Sequence, residues 1–91
     1  MKKGLEARVL GRVQGVGFRY FVVGRARSLD LCGFVCNRAD GSVEVRAEGE
    51  EKQLEDLLLA LRQGPAGSRV DQCEVVWRPY TKCCDTFEVT Y

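Results

Sequence analysis

Two glycines and an arginine, Gly15, Gly17 and Arg19, stand in the run Val13-Gln14-Gly15-Val16-Gly17-Phe18-Arg19, between a segment that alternates and one with helical spacing. A strand that enters a helix through such a turn places consecutive backbone N–H groups around a small anion site, and glycine lets the backbone curl there without a Cβ clash. Arg19 falls in the first helical turn, where a cation opposes the helix dipole unless something negative sits there. Two readings stay open: an anion site with a guanidinium at its rim, or a solvated arginine after a tight turn. No G-x4-G-K-[ST] run occurs, which excludes a Walker loop. Asn37 is the second anomaly, a residue depleted in strands at the end of a strand-like run; its plain reading is an Asn that begins the turn.

Other chemistries are removed by composition. The chain has no histidine, so Ser-His-Asp triads, Cys-His dyads, phosphohistidine chemistry and His-containing metal motifs are all excluded. The formal charge is 14 − 13 = +1, which supplies no excess of positive charge to hold a polyanion. Five cysteines, Cys32, Cys36, Cys73, Cys83 and Cys84, form an odd set without a C-x2-C pair. Neither a complete disulfide framework nor a zinc ribbon fits, and reduced, half-buried thiols with no metal are expected. Cys32 and Arg38 do stand in the C-x5-R spacing of a cysteine phosphatase, with a thiolate to attack phosphorus and an arginine to hold its oxygens. The intervening Gly-Phe-Val-Cys-Asn is strand-like rather than a phosphate cradle, and no helix follows Arg38.

The elements that must position these residues follow from periodicity. Residues 4 to 12 alternate, with Leu5, Ala7 and Val9 on one side, and predict a half-buried strand. Phe18, Phe21, Val22, Ala26 and Leu29 then recur at helical spacing. Segments 33–37 and 42–48 flank Arg38-Ala39-Asp40-Gly41, and Asp-Gly between two such runs predicts a hairpin. From Glu50, Leu54, Leu57, Leu58 and Leu61 give a helix that Gly64-Pro65 stops. A strand over 70–77 and a short one over 86–91, with Phe87, Val89 and Tyr91 to one side, complete the chain. The order predicts an α+β, ferredoxin-like βαββαβ sandwich: a mainly antiparallel sheet covered on one face by two helices, with a short C-terminal fifth strand. At 91 residues, a single domain over 1–91 is expected.

The run Gly11 to Arg19, followed by Gly33-Phe34-Val35-Cys36-Asn37-Arg38-Ala39-Asp40-Gly41-Ser42-Val43-Glu44 and then Gly49, closely resembles the two signature stretches of the acylphosphatase family. The resemblance implies hydrolysis of a carboxyl-phosphate anhydride to a carboxylate and inorganic phosphate, with neither metal, cofactor nor covalent intermediate. It implies a phosphate held by Gln14, Gly15, Val16, Gly17, Phe18 and Arg19, with Arg19 and Asn37 as the catalytic pair. Cys36 departs from the pattern, since a Lys or Arg is more usual there; strand alternation turns it away from the Asn37 side, so stability or redox behaviour rather than chemistry is expected to feel it.

Two further readings are an acylphosphatase-like regulatory domain, as occurs within larger maturation proteins, and an RNA-recognition module, since Gly33-Phe34-Val35 echoes part of an RNP1 pattern. The second lacks stacking aromatics, because Cys32 and Asn37 occupy those places. The expected partners are a small acyl phosphate, with inorganic phosphate or sulfate competing, and no nucleic acid. Met-Lys-Lys followed by Glu6 and Arg8 makes no signal peptide, and no ~20-residue apolar stretch exists to meet a membrane. A cytoplasmic monomer is the expectation.

Overall fold

Leu5, Ala7 and Val9, the apolar half of the first alternating run, are all buried in the computed structural model, while Arg8 between them is exposed. The structure describes residues 1–82 and 84–91. The elements are β1 (Lys2–Arg12), α1 (Phe18–Ser28), β2 (Cys32–Asn37), β3 (Val43–Glu50), α2 (Glu51–Gln63), β4 (Arg69–Arg78) and β5 (Phe87–Val89). They form one five-stranded sheet in the order β4-β1-β3-β2-β5. Pairing is antiparallel throughout except that β5 runs parallel to β2. The ferredoxin-like α+β sandwich is therefore the one expected, with its elements within two residues of the expected bounds apart from the last strand.

The core lies between the sheet and the two helices. Leu54, Leu57, Leu58 and Leu61 of α2 and Phe18, Val22 and Ala26 of α1 are buried against Val43, Val45 and Ala47 of β3 and Val35 of β2. Each such large aliphatic group removed from water contributes roughly 1.5–3 kcal/mol before conformational entropy is set against it. The other face carries Glu6 and Arg8 of β1, Glu44, Arg46 and Glu48 of β3 and Arg78 of β4. Arg46 and Arg78 both pair there with Glu6.

Register fixes what sits where at the end of the sheet that matters. Asn37 pairs with Val43, and Val43 with Val9, so the end of β2 and the start of β3 lie beside the place where β1 runs into the glycine-rich turn.

Two expectations fail near the C-terminus. The last strand ends at Val89; Phe87 is buried, but Tyr91 lies beyond the strand and is almost wholly exposed. The expected reduced thiols are also overturned, because Cys32 and Cys84 form a disulfide. The connection from β4 must cross from one edge of the sheet to the other, and it does so over the face without helices. Thr81 there donates from its N–H and Oγ1 to the Glu48 carboxylate, at 2.9 and 2.8 Å. That path carries Cys84 to a Cα–Cα distance of 5.7 Å from Cys32, within the range a disulfide spans. Cys36 and Cys73 are free and half-buried, as expected, and burial pushes the Cys73 thiol pKa up, so it is a poor nucleophile. Cys83 lies outside the described residues.

Candidate active site

The turn between β1 and α1 is built by two left-handed glycines, Gly15 at φ 75° and Gly17 at φ 77°. A β-carbon on either would meet nothing within 4 Å, so the dihedral angle itself, not a crowded neighbour, calls for glycine. Gly17 is the N-cap of α1, and no side chain caps the helix. The first bond of the helix runs from the Phe21 N–H to the Gly17 carbonyl, at 3.1 Å. The N–H groups of Phe18, Arg19 and Tyr20 thus precede the helical ladder, and no acidic residue stands in that first turn to neutralise them. Phe18, 1% exposed, and Val16, packed on the core, hold the turn to the protein, while Gly15 and Gly17 face solvent.

Gln14 joins the turn to the β2–β3 hairpin. Its Nε2 donates to the Arg38 carbonyl at 2.8 Å and to the Ser42 carbonyl at 2.9 Å. Both amide hydrogens are therefore committed to the hairpin, which leaves Gln14 only its backbone N–H to donate to an anion. The family resemblance puts Gln14 among the expected phosphate-binding residues but does not reveal this brace, because only the folded register brings residue 14 to residues 38 and 42.

Asn37 sits one residue before that brace. Val35 is buried on the helix-covered face, so alternation turns Asn37 to the same face and Cys36 to the other. The Cys36 Sγ does lie on the opposite side, 3.9 Å from a Glu44 carboxylate oxygen. The Asn37 Oδ1 is buried and, among the described residues, has no hydrogen-bond partner. The hairpin beyond it is closed by its own bonds: Arg38 N–H donates to the Ser42 carbonyl at 2.9 Å, and Asp40 Oδ1 accepts from the Ser42 N–H and Oγ at 3.0 and 2.6 Å.

Those Ser42 bonds, helped by Arg8 and Arg38, hold the Asp40 carboxyl below its ordinary value of 3.8. A carboxyl with a depressed folded-state pKa contributes stability above its unfolded value, and that stability drains away as pH falls below about 3.8. Asp40→Asn should therefore flatten the acid side of the stability curve. Thermal melts between pH 5 and pH 2.5 check this, and parallel curves for the two proteins would remove the Asx contact from the account.

Arg19 is half-buried in the first turn of α1, and its guanidinium lies 5.1 Å from the centre of the Tyr91 ring. No sequence signal announced that contact, since Tyr91 read as the inward end of a strand. The C-x5-R reading is not sustained. Cys32 is locked in its disulfide, Arg38 pairs with Glu44, and the extended strand between them separates the two by about 20 Å.

A small α+β sandwich whose strand-to-helix turn offers helix-N-terminal N–H groups and an arginine, braced to a hairpin that carries a buried amide oxygen, is of the class suited to handling a phosphoryl group. The acylphosphatase family model matches residues 5–89. An acylphosphatase of Salinibacter ruber is 47% identical over 96% of this chain and 88% of its own length. The crystal structure of acylphosphatase from Bacillus subtilis superposes with a TM-score of 0.95 at 40% identity, covering 100% of both chains. A structure of full-length HypF, in its phosphate- and nucleotide-bound form, matches all of this chain with 12% of its own, at 29% identity and a TM-score of 0.91. The chain belongs to the acylphosphatase family, and the reaction that goes with membership is hydrolysis of an acyl phosphate.

Proposed function

We propose that the turn from Gln14 to Arg19 holds the phosphoryl group of a small acyl phosphate and that Asn37 orients the water that attacks it. The phosphoryl-transfer transition state is loose and spreads charge over three equatorial oxygens, so positioning and charge stabilisation are the main demands on the protein. Backbone N–H groups of residues 15 to 19 meet those oxygens, and the planar guanidinium of Arg19 binds two of them. Water attacks phosphorus, the P–O bond to the carboxylate breaks, and the carboxylate leaves with the electron pair. The water's proton passes to a phosphate oxygen. The acyl-phosphate leaving group is good enough to need no protein acid, and no step is assigned to a metal or cofactor.

The observation that carries this reading is the Oδ1 of Asn37, buried and without a hydrogen-bond partner among the described residues. Leaving such an acceptor unpaired costs roughly 1–3 kcal/mol, and a water bound in the site removes that cost by donating to it. The same bond aligns the water's lone pair. A mere turn residue would face solvent and need no such burial.

The site should hydrolyse benzoyl phosphate and leave a phosphomonoester untouched, since an alkoxide leaves poorly without an acid. Inorganic phosphate and sulfate should inhibit competitively and raise Tm, by the linkage any native-state ligand obeys, whereas EDTA should change neither. Thermal melts with and without 10 Kd of phosphate would show about 1.4 kcal/mol of added stability. A Tm that ignores phosphate would count against the anion site.

The same reading places the protein in the cytoplasm as a single-domain monomer without nucleic-acid partners. For the absence of nucleic acid the support is the charge of +1 and the open sheet face, where glutamates alternate with arginines instead of forming a basic stripe. Among the described residues, no helix is long and apolar enough to cross a membrane.

A further inference from the structure

We propose that Cys32, Cys84 and Glu48, once the disulfide is reduced, form a site for one thiophilic divalent cation of the zinc type. The two sulfurs and a Glu48 carboxylate oxygen all lie within 4.8 Å of one another, and all three residues are half-buried. A tetrahedral zinc with sulfur at about 2.3 Å and oxygen at about 2.0–2.2 Å sets its ligand atoms roughly 3.5–3.8 Å apart, so modest opening of the cystine admits it. Cys32 and Glu48 are direct partners across β2 and β3, which fixes two ligands on neighbouring strands. The Glu48 carboxylate is in turn oriented by the N–H and Oγ1 of Thr81, the role outer-shell groups play around metal ligands.

The surrounding field also favours a cation. The three residues line a cavity of about 380 Å³ whose charged groups are Asp30, Glu48, Glu50 and Asp85 against Lys2 and Lys82; with the N-terminal ammonium paired to Glu50 at 2.9 Å, four carboxylates face three ammoniums. None of these belongs to the glycine-rich turn or to the end of β2 that carries Asn37, so the site is separate from the phosphoryl site. The cystine itself offers no thiolate. Reduction by a dithiol or a phosphine puts two electrons into the S–S bond and, with two protons, yields two thiols. The cation then displaces both protons as it binds, so affinity rises with pH.

The test uses the full chain, reduced with a phosphine that ends as phosphine oxide, freed of reagent without air, and compared with the untreated disulfide form. Each is titrated with Zn²⁺ against a chromophoric chelator, and with Co²⁺ while thiolate-to-metal absorption is followed. The reduced protein should take up one cation per chain with the thiolate band, and the disulfide form none. Reduced Cys84→Ser and Cys32→Ser should bind on the order of a hundredfold more weakly, Glu48→Gln roughly tenfold more weakly, and Cys36→Ser like the parent. Circular dichroism verifies that each variant is folded; should a cysteine variant unfold, the reduced parent against Glu48→Gln, which keeps both thiols, still decides. No uptake by the reduced protein, equal uptake by both redox forms, or loss of binding in Cys36→Ser with retention in Cys84→Ser would each overturn the proposal.

Discussion

Arg19→Ala is expected to abolish hydrolysis of benzoyl phosphate while the fold survives. In the proposed role the guanidinium supplies two charge-assisted bonds to oxygens whose negative charge is shared out in the transition state, and arginines in comparable phosphoryl-transfer sites are worth on the order of 10³–10⁵ in rate. Arg19→Lys should fail nearly as badly, because an ammonium is a point charge that cannot form the two-point contact. Stability should barely move, since two small terms oppose each other. Removing a cation from the first turn of α1 relieves a few tenths of a kcal/mol of dipole repulsion, and losing the contact with the exposed Tyr91 ring costs about 0.5–1 kcal/mol. Stabilisation by phosphate should largely vanish in the variant. Near-native turnover by Arg19→Lys would refute the fork contact, and undiminished phosphate stabilisation of Arg19→Ala would move the anion elsewhere.

Asn37→Ala is expected to lower kcat by on the order of 10²–10³, if the loss of one oxyanion-hole donor is a fair guide, with little change in KM. The asymmetry follows from the proposed role: orienting the attacking water would matter in the transition state, whereas the phosphate would already be held by the turn and Arg19. Asn37→Asp should be no better: a carboxylate oxygen still accepts from the water, but its negative charge repels the incoming phosphate. If Asn37 only opens the hairpin, the variant would instead lose some stability and keep its kcat per folded molecule. Cys32→Ser is the useful control. It removes the disulfide but no group of the phosphoryl site, so its kcat per folded molecule should hold, and a collapse there would revive the thiol nucleophile.

Much of this architecture is legible in residue order, because each element buries one face and so repeats at its own period. Leu54, Leu57, Leu58 and Leu61 announce α2, Asp40-Gly41 the hairpin, and Gly15 and Gly17 the turn whose left-handed dihedrals only glycine accepts at no cost. Contacts set by register are not legible in that way. The pairing of Asn37 with Val43 and of Val43 with Val9 brings the end of β2 beside the end of β1, and the Gln14 brace depends on it. Cys84 was unreadable for the same reason, since its partner lies 52 residues away and is reached only by a connection that crosses the sheet. Tyr91 misled because alternation continued past the three residues of β5 that pair.

The division of labour between Arg19 and Asn37 is tested most directly by one steady-state data set. It is benzoyl phosphate hydrolysis by the parent, Arg19→Ala and Asn37→Ala, each with increasing inorganic phosphate, giving kcat and the inhibition constant for phosphate. The account predicts that Asn37→Ala keeps the parent's phosphate affinity while its kcat falls 10²–10³-fold, and that Arg19→Ala loses both. A parent-like kcat in Asn37→Ala, or parent-like phosphate inhibition with turnover in Arg19→Ala, would contradict it.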